Sequence, residues 1–135
     1  MTTRGPLSVW AETLDDHRAW VRGCIFPEEA AALFDTDWGT KLDVIAAIAE
    51  QLAPDDTTSW QALGVVFGDA LALKTGLEWG EVTDFYGTDP GIIVKGDTEA
   101  VVFPMTILSK RAAQGNPPDR DTILWLYDQV VEQAQ

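Results

Sequence analysis

The chain has 135 residues, 46% of them apolar and six of them Trp, and sets 22 Asp and Glu against nine Lys and Arg for a formal charge of −13. That length suits a single domain over residues 1–135 burying roughly 70% of its unfolded surface, and so much aromatic area is foreign to a disordered chain. The charge repels phosphate backbones and anionic membrane surfaces, which disfavours nucleic-acid and membrane binding, and it speeds encounter with a basic partner.

Leu7, Trp10, Leu14, His17 and Val21 recur at spacings of three and four, which predicts one apolar stripe on a first helix with Glu12, Asp15 and Asp16 around it. Pro27, Glu28 and Glu29 read as the first turn of a short helix through Phe34, the acids lying near the positive end of its dipole. DTDWGT at 35–40 reads as a turn. From Lys41 to Leu52 a third helix carries Leu42, Ile45, Ile48, Ala49 and Leu52 on one face, and Pro54 ends it. Thr58 and Gln61 form a capping-box pattern ahead of a helix that is apolar nearly all round, as a central helix covered on several sides would be.

Beyond Gly76 the pattern changes to short β-prone runs, LEWGEVTD, GIIVKG and EAVVFP, divided by YGTDPG and GDT turn chemistry, which predicts a three-stranded antiparallel meander. Pro104 opens a helix that Gly115, Asn116, Pro117 and Pro118 stop, and Asp119 or Asp121 caps a last helix bearing Ile123, Leu124, Leu126, Tyr127, Val130 and Val131. The expected class is α+β: N-terminal helices, a meander, then two C-terminal helices.

The lone Cys24 can close no internal disulfide, and no CxxC or Cys/His cluster suggests a metal, so no cofactor or metal is expected and a reducing cytoplasm fits best. The N-terminal MTTRGPLSVW lacks the h-region of a signal peptide, and no apolar run approaches the ~20 residues of a membrane span.

No catalytic motif assembles in the sequence. Ser and Cys nucleophiles are usually activated by histidine, and the one histidine, His17, lies on an apolar stripe where a structural role is the simpler reading. Glu78, Glu81 and Asp84 fall three apart along a strand, so successive members point to opposite faces. The acidic turns lack the EF-hand register, and Gly87, Gly91 and Gly96 sit in expected hairpin turns and not between a strand and a helix. GVVFG at 64–68 puts two small residues four apart, which suits close backbone packing.

Asp69 interrupts the apolar central helix, so it either reaches solvent or finds a cation, with Lys110 and Arg111 as the candidate partners. LGVVFGDAL at 63–71, GLEWG at 76–80, VVFPMTILSKR at 101–111 and the closing helix resemble the bacterial family called domain of unknown function 3806, over about residues 57–131. The resemblance implies a family-like core over 57–135, with 1–56 matched less clearly, and it brings no assigned activity. Its recurring elements fall on Gly64, Phe67, Gly68, Asp69, Trp79, Pro104, Lys110 and Arg111, which are what a shared core and its ion pair would need.

Small size, negative charge and aromatics set among acids together favour a non-catalytic protein-binding module, for which the concrete form is an immunity protein neutralising a basic toxin. The expected contact regions are the loop Asp35, Asp37, Trp38 and the hairpin Asp84, Tyr86, Asp89. The rival reading is a small-molecule-binding protein or carboxylate-based enzyme with its pocket between the sheet and the N-terminal helices.

Overall fold

The computed structural model describes residues 3–25, 28–93 and 101–134. Its elements run β1 (Thr3–Pro6), α1 (Ala11–Gly23), α2 (Glu28–Thr36), α3 (Trp38–Ala49), α4 (Thr57–Thr75), β2 (Glu78–Asp84), β3 (Gly87–Ile93), β4 (Val101–Val102), α5 (Pro104–Ala113) and α6 (Arg120–Ala134). Pro27 and the expected GDT turn lie outside the described residues.

The α+β class holds, but the antiparallel sheet has four strands in the order β1-β2-β3-β4. The extra strand is β1, whose Thr3 to Pro6 pair with Thr83 to Gly80. None of its four residues is buried, so it carries no apolar alternation and is placed by its backbone pairing with β2. It also shortens the first helix: α1 begins at Ala11, so Leu7 and Trp10 precede it while Leu14 and Val21 are fully buried on its inner face. His17 is half-buried on the same helix, and burial pulls its pKa below the usual value against an opposing pull from Asp16.

α1 has no side-chain cap of its own. Glu81 of β2 supplies one from across the fold, its Oε2 accepting the Ser8 and Trp10 backbone N–H groups at 2.7 and 2.8 Å. That puts a carboxylate at the positive end of the helix dipole. The Trp10 indole then donates to the Thr88 carbonyl at 2.7 Å, tying α1 to the β2–β3 hairpin.

α4 is the axis of the molecule and touches α1, α3, α5, α6, β2 and β3. Its N-cap is Asp56, which accepts the Ser59 N–H, and the expected Thr58 lies inside the first turn. Asp and Thr both cap well, and Asp56 comes first in the chain. Gly64 is a close-approach site: a Cβ there would lie 2.5 Å from the Pro104 carbonyl oxygen and 2.8 Å from the Met105 Cα. The small-residue spacing therefore seats α5 directly on α4. Tyr127 of α6 closes the other side, its buried hydroxyl donating to the Ala70 carbonyl at 2.9 Å.

The β2–β3 hairpin is tighter than the sequence suggests. GTDP, expected as turn, belongs to β3, and Pro90 pairs with Glu81. Pro is tolerated there because β4 pairs only with Ile92 and Ile93, which leaves the far side of β3 without a described strand at Pro90. Pro104 opens α5 and Asp119 caps α6 through the Thr122 N–H, both as expected.

Candidate functional site

Two places on the molecule carry features that packing alone does not require. One is the tip of the β2–β3 hairpin. Asp84 Oδ1 accepts the Tyr86 N–H at 2.8 Å, an Asx turn, and Gly87 takes the positive φ of 134°. The Thr83 and Thr88 hydroxyls pair across the strands at 2.9 Å. The turn is thus built by Asp84 and Gly87, while the two residues between them are Phe85 and Tyr86, 92% and 93% exposed. Their rings pack edge to face, with centroids 5.7 Å apart. Below the tip a groove of about 380 Å³ runs between Asp84, Asp89, Pro90, Trp10, Phe103 and Lys110.

The other is a polar cavity of about 470 Å³ where α1, α2, α3 and α4 meet. Asp69 of α4 lines it and is held from three directions. Arg18 of α1 donates Nε to Oδ2 at 2.7 Å and Nη2 to Oδ1 at 2.9 Å, and the Trp79 indole donates to Oδ1 at 2.8 Å. Burial works against the Arg18 charge, but its bonds to Asp69 and Asp15 together hold it above the ordinary guanidinium value. Arg22 bonds Asp35 of α2 through Nε at 3.1 Å. Lys41 of α3 is 6% exposed with its ammonium 4.2 Å from the centre of the Phe34 ring, and burial lowers its pKa despite the pull of Asp69 and Asp35.

These positions correct two expectations. The cation on Asp69 is Arg18 and not Lys110 or Arg111. The reason is the way α4 divides its faces: Gly64 and Gly68 take the start of α5 and Trp79, whereas Asp69, about 100° further round, turns toward α1. Lys110 instead lines the groove below the hairpin.

The stretch Asp35, Asp37, Trp38 is also no open loop. Asp35 is taken by Arg22, and Asp37 caps α3 by accepting the Thr40 N–H and hydroxyl at 2.7 Å each, which pulls its pKa down. Trp38 stacks on Tyr127 at 5.7 Å with the Lys74 ammonium 4.8 Å from its ring. Asp84, Tyr86 and Asp89 of the hairpin are exposed, and so is Phe85, which no sequence signal singles out. Arg18 and Lys41 were passed over too, although Lys41 falls four residues before Ile45 on the apolar face of α3, where a charge is out of place.

A family model described as Domain of unknown function (DUF3806) matches residues 41–123. The chain belongs to this family. The matched span begins earlier than the resembling segments, taking in α3, and it divides the cavity: Lys41 and Asp69 lie inside it, Arg18, Arg22 and Asp35 before it. No curated protein matches the chain. A crystal structure of a protein from Bacteroides thetaiotaomicron VPI-5482 is similar in fold, with a TM-score of 0.62 at 15% identity over 95% of this chain and 48% of that one. The chain thus spans about half the length of that neighbour. Among the described residues there is no group of three or more Cys, His, Asp or Glu placed to hold a metal, and no helix is long and apolar enough to cross a membrane.

Proposed function

We propose that this member of the family is a protein-binding module whose contact surface is the tip of the β2–β3 hairpin, and that its partner is a basic protein. The observation that carries the reading is the exposed Phe85–Tyr86 pair. Hairpin turns favour Gly, Asn and Asp, and here Asp84 and Gly87 already meet the conformational demand, so two large rings in water serve no purpose of the fold. Aromatic anchors ringed by charge are the usual centre of a tight protein contact, and Asp84 and Asp89 flank the rings with negative charge. The overall −13 would steer a basic partner to this face. In its most specific form the partner is a basic toxin, the chain is its immunity protein, and both meet in a reducing cytosol that suits the free, exposed Cys24.

The test is capture of partners on the immobilised chain beside a Phe85→Ser, Tyr86→Ser variant. A stoichiometric basic protein held by the first and lost at least tenfold by the second is the expected result, with association slowed by salt. Equal capture by both, or no basic partner on either, overturns the proposal. Protection of cells against the captured protein decides whether the partner is a toxin.

A further inference from the structure

The cavity between α1, α2, α3 and α4 holds one cation, Lys41, that no described carboxylate contacts directly, while Arg18 is shared between Asp69 and Asp15. Three of the nine basic residues of this acidic chain, Arg18 and Arg22 of α1 and Lys41 of α3, line it together with two carboxylates, Asp35 and Asp69. Both carboxylates are taken, Asp69 by Arg18 and Asp35 by Arg22. Lys41 is left over. It is among the few charged or polar residues buried to this degree, and its ammonium meets the Phe34 ring without a hydrogen bond or ion pair to any described residue. No fully buried side-chain nitrogen or oxygen among the described residues lacks a partner, so the ammonium keeps access to the open space of the cavity, with Asp69 and Asp35 attracting it from beyond contact distance. The rest of the lining is apolar: Ala19, Phe34, Ala72 and Leu73.

We infer that this cavity binds a small monocarboxylate, its negative end on Lys41 and a short aliphatic body against Phe34, Ala72 and Leu73. Among the described lining residues one cation has no direct ion pair, which matches one negative charge; a phosphate, at −1.5 to −2 near neutral pH and with more acceptor oxygens, asks for about two or three such donors. The volume of about 470 Å³ falls within the range of small-molecule sites and leaves room for a chain of several carbons. The site is separate from the hairpin tip and does not depend on the protein-binding proposal.

The experiment is a titration of isotope-labelled protein with hexanoate, acetate and inorganic phosphate at fixed ionic strength, followed through the backbone amides. Hexanoate should give saturable shifts centred on Lys41, Ala72 and Leu73, bind at least tenfold more tightly than acetate, and weaken at least tenfold in Lys41→Met. Lys110→Met, outside the cavity, should bind as the parent does. Ala72→Leu, which fills the apolar end and leaves the charges in place, should also weaken hexanoate, so the inference remains testable if Lys41→Met does not fold. Absence of saturable hexanoate shifts, unchanged binding by Lys41→Met, or phosphate binding without hexanoate binding each overturns it.

Discussion

Arg18 and Asp69 lie 51 residues apart in the chain and meet through two parallel hydrogen bonds of 2.7 and 2.9 Å, a fork on a fork, with the Trp79 indole completing the carboxylate. The pair joins α1 to α4 at a point where the Asp69 side chain is 16% exposed. Asp69→Ala removes all three bonds and leaves Arg18 with Asp15 alone, so a loss of about 2–3 kcal/mol is expected in urea unfolding. Lys110→Ala and Arg111→Ala should each stay within about 0.5 kcal/mol of the parent. A loss in either matching that of Asp69→Ala would restore the pairing with α5 that the sequence suggested.

Lys41 should behave in the opposite way. Lys41→Met keeps the length of the side chain and removes a largely buried charge that no described carboxylate contacts directly, so the variant is expected to be about 1 kcal/mol more stable near neutral pH. The gap should narrow in alkali. The folded pKa of Lys41 lies below its unfolded value, so as pH rises between the two the folded state has shed a proton that the unfolded state still holds, and the parent gains stability. Thermal melts from pH 7 to 10.5 check both sign and trend.

The seat of α5 on α4 predicts an ordering of two glycine substitutions. Gly→Ala inside a helix ordinarily gains up to about 1 kcal/mol. At Gly64 the new methyl would meet the Pro104 carbonyl and the Met105 Cα, backbone atoms that cannot rotate away, so Gly64→Ala is expected to lose about 3 kcal/mol. At Gly68 the obstacles are side chains, the Trp79 ring and the Pro104 ring, and a smaller loss follows. Denaturant midpoints of the two variants measure the difference, and a reversed order would mean that α5 can shift.

Glu81 is the fourth test of the fold. Glu81→Ala strips the acceptor from the Ser8 and Trp10 N–H groups and should cost about 2–3 kcal/mol, whereas Glu81→Gln retains an acceptor oxygen and should cost less. Hydrogen exchange locates the effect: protection should fall first in the first turn of α1, with α4 and α6 unchanged.

Much of the helical layout is legible in the residues themselves. The stripe through Leu42, Ile45 and Ala49, the all-round apolarity of α4, Pro104 at the start of α5 and Asp119 ahead of α6 are local signals, and local signals survive folding. What escaped is what depends on distant partners. β1 is a strand only because β2 runs beside it, and Glu81 is a helix cap only because the hairpin brings it to Ser8. The site divides likewise. Tyr86 stands out as a turn aromatic, and Asp69 as a charge in an apolar helix, but nothing within a few residues of Asp69 says that α1 and not α5 will face it.

The dependence of the N-terminal elements on later ones has a consequence for how the chain is made. β1 and α1 leave the ribosome before their partners, since Thr3 pairs with Thr83, Trp10 with Glu81 and Thr88, and Arg18 with Asp69. At about 5–20 residues per second the opening segment waits several seconds for those partners, with Leu14 and Val21 uncovered meanwhile. Long-range closure of this kind is slow in itself. β1 and α1 therefore lock only after β2, β3 and α4 are made, and until then the acids along α1, Glu12, Asp15 and Asp16, set negative charge beside its bare apolar face.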